Sequence, residues 1–159
     1  MQKSLVSPQK MWELLKKNIK SEWKVAFFTV LIVGLCVHFP AISKDIPNHD
    51  GLASMYFDQN MITSGRWFLM VACGISSYFT LPWVIGLLSL VFLGIGAAAL
   101  VEFLEVRDKL GVMIVSALLV VFPSLASTYT YIFTADGYMM GLMLANAMNI
   151  PFLVASLFG

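Results

Sequence analysis

The residue types that could do chemistry concentrate in residues 48–67, NHDGLASMYFDQNMITSGRW. Asp50 and Asp58 supply two carboxylates, and Arg66 is one of two arginines in the chain. A positioned carboxylate can take the proton of an attacking hydroxyl. An arginine fork can grip two oxygens of a phosphate, which a lysine cannot. Lys44 adds a second cation just upstream, and Asp136 adds a carboxylate from far along the chain. Plainer readings of the same residues stand beside these. Asp50 and Asp136 suit helix N-caps, which does not exclude catalysis at Asp50. Asp58 reads equally as a solvated charge on a surface helix, and Arg66 as a snorkelling charge beside Trp67. His49 reads as a loop residue.

What must position these groups is a membrane domain. The 159 residues are 59% hydrophobic and 12% charged, with a mean hydropathy of +0.83. Soluble domains carry about 25% charge, so the chain is an integral membrane protein. A net charge of +1 implies no nucleic-acid partner. His38, His49, Cys36 and Cys73 lack metal-ligand spacing, so no metal or other cofactor is called for, and Cys36 inside an apolar run argues against a disulfide. The long charged leader argues against a cleaved signal peptide.

The spacing predicts an all-α fold of about four transmembrane helices. Residues 1–24 form a basic amphipathic helix on the cytoplasmic surface, opened by Ser7-Pro8. Met11, Trp12, Leu15, Ile19 and Trp23 line one side of it, against Lys10, Lys16, Lys17, Lys20 and Lys24. Residues 25–159 form the membrane domain, with spans at 25–42, 84–103, 111–133 and 138–157 and an outer loop at 43–82. The third span has a candidate break at Pro123. The lysines before the first span place the N-terminus in the cytoplasm and the 43–82 loop outside. Residues 51–64 form an interfacial helix stopped by Gly65, and residues 67–80 are too short to cross. Glu102 to Lys109 is a cytoplasmic turn in which Glu105 and Lys109 are spaced to pair. Thr134 to Gly137 is a second outer loop, with Tyr129 and Tyr131 in the aromatic belt. Asn146 and Asn149 are spaced to bond to neighbouring helices.

The series Asp50-Gly51, Tyr56-Phe57-Asp58-Gln59, Ser64-Gly65-Arg66-Trp67 and Phe133-Thr-Ala-Asp136 resembles the Gtr-type polytopic glucosyltransferases, the glucosyl transferase II family, related to the broader GT-C class. The resemblance runs from about Trp23 to Leu157. Family members have many more spans, so the chain looks like their N-terminal portion. The resemblance implies an enzyme of the cytoplasmic (inner) membrane, a multi-pass protein working at its outer face. Such an enzyme moves glucose from a polyprenyl-phosphate carrier to a cell-surface polysaccharide such as O-antigen, or to a lipid-linked acceptor. It implies an acidic catalytic residue at Asp50, acting as general base, with Asp58 the second candidate. Arg66 and Lys44 would bind the donor phosphate, and Asp136, Tyr56, Gln59 and Trp67 the substrates. Membrane lipids are the remaining partners. The alternative is a non-enzymatic small subunit that assists a membrane-protein partner or carrier-lipid translocation, or an inactive truncated product.

Overall fold

The computed structural model describes residues 19–44, 65–73 and 81–158, and the described residues are helical apart from short connections. The fold is all-α, as the composition predicts. The first helix, α1, is Ser21–Ser43. It is apolar all round, yet only Ala26, Val30, Gly34, His38 and Ile42 are buried, a single i, i+4 seam. Phe28, Ile32, Leu35 and Phe39 are left exposed. A helix with one packed seam and an otherwise apolar surface is suited to lipid, where every backbone polar group must be satisfied within the segment.

A short helix, α2, is Trp67–Ala72. Gly65 before it has φ +76°, a left-handed conformation that glycine adopts readily. The central helix, α3, is Pro82–Phe103, opened by Pro82 in its first turn. It packs against α1 on one side and α6 on the other. At Gly86 the α1 residue Ile42 comes within 2.5 Å of where a Cβ would stand, so the helices touch there because the side chain is absent. The buried Ser89 hydroxyl is satisfied by donating to the Ile85 carbonyl at 2.7 Å.

The end of α3 is a Schellman turn. Val106 N–H donates to the Val101 carbonyl and Glu105 N–H to that of Glu102, with Glu105 at φ +55°. This geometry separates Glu105 from Lys109. The ion pairs that form instead join Glu102 to Arg107 at 2.9 Å and to Lys20 at 2.6 Å. Asp108 then caps α4, Lys109–Val121, accepting from Gly111 N–H.

Helix α4 ends where Phe122, the residue before Pro123, adopts ψ 132°. Pro123 restarts the chain as α5, Pro123–Thr128, followed by a 3₁₀ turn, Tyr129–Tyr131, and the last helix, α6, Ile132–Phe158. The break at Pro123 is where the sequence places it. The loop at Thr134 to Gly137 is absent: these residues are the first turns of α6. Ala135 and Met139, one turn apart, are fully buried, and Gly137 packs against α2. That tertiary packing outweighs the turn preference of an Asp-Gly pair. The polar run before it does not break the chain either. Ser127 and Thr128 both donate to the Ser124 carbonyl, and Thr134 donates to that of Tyr131.

Among the described residues, α1 and α3 are each long and apolar enough to cross a membrane. The path Lys109–Val121 with Pro123–Met148, bent by 42°, makes a third candidate. Helices α1 and α3 are antiparallel. Lys20 meets Glu102 at one end, and Ile42 meets Gly86 at the other. Helix α6 starts beside His38, on which Tyr129 stacks, and lies against Gly96 by Met143. It therefore runs back toward the Glu102 end.

Candidate functional site

Arg66 and Trp67 lie at the start of α2, and the structure brings Arg66 to α6. Its Nη1 donates to the Tyr138 hydroxyl at 3.2 Å. Helix α2 is held there by close packing. A Cβ on Gly137 would collide with the Cys73 sulfur and lie 2.7 Å from Leu69 Cδ1, so only glycine admits α2 at this distance. Burial, and then the nearby Asp136 carboxylate, push the Cys73 thiol up to about 12. Asp136 is 0% exposed and sits inside α6, not on an outer loop. Its Oδ1 accepts from the Gly137 N–H at 2.9 Å. Trp67 is 65% exposed and meets Phe68 edge-on. Arg66, Tyr138, Asp136 and Trp67 thus gather at one place, where α2 crosses the start of α6.

Lys44 is exposed at the end of α1, its N–H bonded to the Pro40 carbonyl. None of the described contacts joins it to Arg66. Asp50, Tyr56, Asp58 and Gln59, with the predicted helix over residues 51–64 and most of the N-terminal surface helix, lie outside the described residues. Among the described residues no three His, Cys, Asp or Glu side chains come together as metal ligands.

Three features were not singled out by residue type. Tyr138 holds Arg66, but its partner is 72 positions away, a pairing that no local pattern signals. A groove of about 490 Å³ opens beside that hydrogen bond, between α2, α5 and α6, lined by Tyr138 and by apolar residues including Phe68, Leu125 and Leu142. The third is His38, buried and stacked on Tyr129 with ring centroids 4.0 Å apart. Tyr129 is itself 1% exposed, so it is a core residue, not a belt aromatic. His38 Nε2 lies 3.0 Å from the Val120 carbonyl, which makes Nε2 the protonated nitrogen. The break at Phe122 deprives that carbonyl of its helical donor, and His38 supplies one from another helix.

Residues 39–150 match the family described as glucosyl transferase GtrII, 112 of the 159 positions. The chain belongs to the GtrII glucosyl transferase family. No curated protein and no solved structure matches it. Membership implies a glucosyltransferase in general, with a sugar donor and an acceptor, and it accords with a membrane protein of apolar helices. The matched stretch of this GtrII chain holds Arg66, Trp67, Asp136, Tyr138 and every residue of the groove. Lys20, the ion-pair partner of Glu102 that immediately precedes α1, falls before it.

Proposed function

We propose that this GtrII chain takes part in moving glucose from a polyprenyl-phosphate carrier to a cell-surface polysaccharide such as O-antigen, at the outer face of the cytoplasmic membrane. The observation that carries the reading is the Arg66–Tyr138 hydrogen bond beside an apolar groove, in a chain of this family. A lipid phosphate offers a charged head and an apolar tail, and this place offers a guanidinium and an apolar surface.

In this reading the acceptor hydroxyl oxygen attacks the anomeric carbon of the donor. The bond from that carbon to the phosphate oxygen breaks, and its electron pair leaves with the polyprenyl phosphate. The hydroxyl proton passes to the Asp50 carboxylate, with Asp58 as the second candidate. Arg66, held by Tyr138, stabilises the charge that develops on the departing phosphate, and Lys44 adds a cation. Trp67, Tyr56 and Gln59 contact the sugar or acceptor. Asp136 is buried, so it supports the site from behind Tyr138. Lys20, Lys24, Arg107 and Lys109 cluster at the opposite end, which supports a cytoplasmic side there and Arg66 outside.

The test uses the protein in its own host membrane, with glucose incorporation into surface polysaccharide as the readout. Asp50→Ala at unchanged abundance is expected to lower transfer by about 10²–10⁴-fold. Near-normal transfer removes Asp50 from the role of base. Arg66→Lys, which keeps the charge but loses the fork, is expected to lower transfer at least tenfold, and an unaffected rate removes Arg66 from the phosphate.

A further inference from the structure

A second groove opens at the other end of the molecule, on the outer surface of the α1–α3 pair. Its volume is about 380 Å³. Trp23, Lys24, Phe27 and Phe28 of α1 line it with Ile95 and Ala98 of α3. Its walls are fixed by contacts already in place. The Trp23 indole N–H donates to Glu102 at 2.8 Å. Phe27 lies over Gly94, where a Cβ would come within 2.7 Å of its ring. Phe28 and Ile95 are 57% and 44% exposed, so the groove opens to the surroundings of the helices. Around helices this apolar, those surroundings are lipid.

Lys24 is the one charged residue in the groove lining. Lys20 and Arg107 both pair with Glu102, and the Trp23 indole occupies the same carboxylate. Among the described residues no side chain pairs with Lys24. Glu22 stands two residues before it, a spacing at which helix residues do not face each other. Lys24 is exposed in the first turns of α1, at the end of the span, where its long stem reaches headgroup depth.

We propose that this groove is a binding site for an anionic phospholipid, with its phosphate on Lys24 and the upper part of one acyl chain between Phe28 and Ile95. The bilayer supplies the class of occupant, and the unpaired cation selects the sign of its headgroup. A zwitterionic headgroup brings its own cation to Lys24 and gains less there. Trp23 suits the same depth, since an indole sits at the boundary between headgroups and chains. The site is remote from Arg66 and does not depend on the sugar-transfer reading.

The experiment reads Trp23 fluorescence in the full chain, with Trp12, Trp67 and Trp83 changed to phenylalanine, in nanodiscs of phosphatidylcholine. Phosphatidylglycerol or phosphatidylcholine brominated in the acyl chains is added in turn, since bromine quenches an indole on contact. Brominated phosphatidylglycerol is expected to quench with about fivefold greater apparent affinity, the factor that one lysine contributes near an anionic surface. Lys24→Gln is expected to bring that ratio below about twofold, and Lys109→Gln, at the same end but outside the groove, to leave it near fivefold. Ala98→Phe fills the groove and is expected to remove the preference as Lys24→Gln does. Should the single-tryptophan chain not fold, mass spectrometry of the unaltered chain released from mixed nanodiscs reads the same ratio from the lipids it retains. Equal quenching by the two lipids overturns the proposal and makes the groove a seat for ordinary bilayer lipid. A preference that survives Lys24→Gln or Ala98→Phe overturns it too. So does an equal loss in Lys24→Gln and Lys109→Gln, which would mean a general attraction to the basic end of the bundle.

Discussion

Gly137 and Gly141 are the same residue type, one helical turn apart, and should respond to substitution with opposite signs. A larger side chain at Gly137 must displace Cys73 and Leu69, the residues that dock α2. Gly137→Leu is expected to destabilise the protein by about 1–3 kcal/mol, the usual cost of overpacking, read as a lower melting temperature in detergent. Gly141→Ala meets no described atom and is expected to stabilise by about 0.5–1 kcal/mol through helix propensity alone. Equal melting of the Gly137→Leu and native proteins would mean that α2 is not seated there. Cys73 provides an independent check on the same packing. With the thiol pushed up to about 12 from an ordinary value near 9, its thiolate is scarce at pH 8. In a Cys36→Ala background, alkylation of Cys73 is expected to be slower than that of an exposed thiol by roughly two to three orders of magnitude. Denaturation in detergent should restore the ordinary rate. Prompt alkylation of the folded protein would contradict a buried Cys73 beside Asp136.

The break between α4 and α5 shows what an element needs from its neighbours. Pro123 and the extended Phe122 end α4, and the carbonyl of Val120 is satisfied by His38 from α1. His38→Ala should leave that buried carbonyl without a donor, at a cost of about 1–3 kcal/mol. Amide exchange should quicken selectively through residues 119–128, where α5 walls the groove. Unchanged exchange there would show that the bend does not depend on His38. The break itself was legible in the sequence, because proline restricts its predecessor wherever it stands. The apolar courses of α1 and α3 were legible from hydropathy and length. The helical state of Thr134 to Gly137 was not. An Asp-Gly pair reads locally as a turn, and what overrides it is the burial of Ala135 and Met139 and the docking of α2 on Gly137. The site divides in the same way. Arg66, Trp67 and Asp136 were visible as polar or interfacial residues in an apolar chain. Tyr138 and Gly141 were invisible, since one matters through a distant partner and the other through space that other helices enclose.

At the scale of the whole molecule, Glu102 gathers one end of the bundle. Its carboxylate takes Lys20 at 2.6 Å, the Trp23 indole N–H at 2.8 Å and the Arg107 fork at 2.9 and 3.2 Å. The side chain is 16% exposed, and Lys20 also lies over the Trp23 ring. The pairing raises the Arg107 guanidinium above its ordinary value through the Glu102 carboxylate, so the cation persists at any working pH. Glu102→Ala is expected to destabilise the fold by about 2 kcal/mol, in the range of hydrogen bonds to charged groups. It should also shift Trp23 fluorescence, and a native spectrum and melting point would mean that these contacts do not hold α1 to α3. The His38–Val120 contact fastens the other end of α1. Both fastenings join residues 82 positions apart. At about 5–20 residues per second, the ribosome reaches each partner roughly 4–16 s after it has made Lys20 or His38. During that interval the newborn helix stays in lipid with its seam uncovered, which its high hydropathy and its sparse burial in the finished protein allow. The order of translation therefore makes α1 a waiting helix, and the emergence of Glu102 and then Val120 sets the moment at which it stops being an independent passenger of the bilayer.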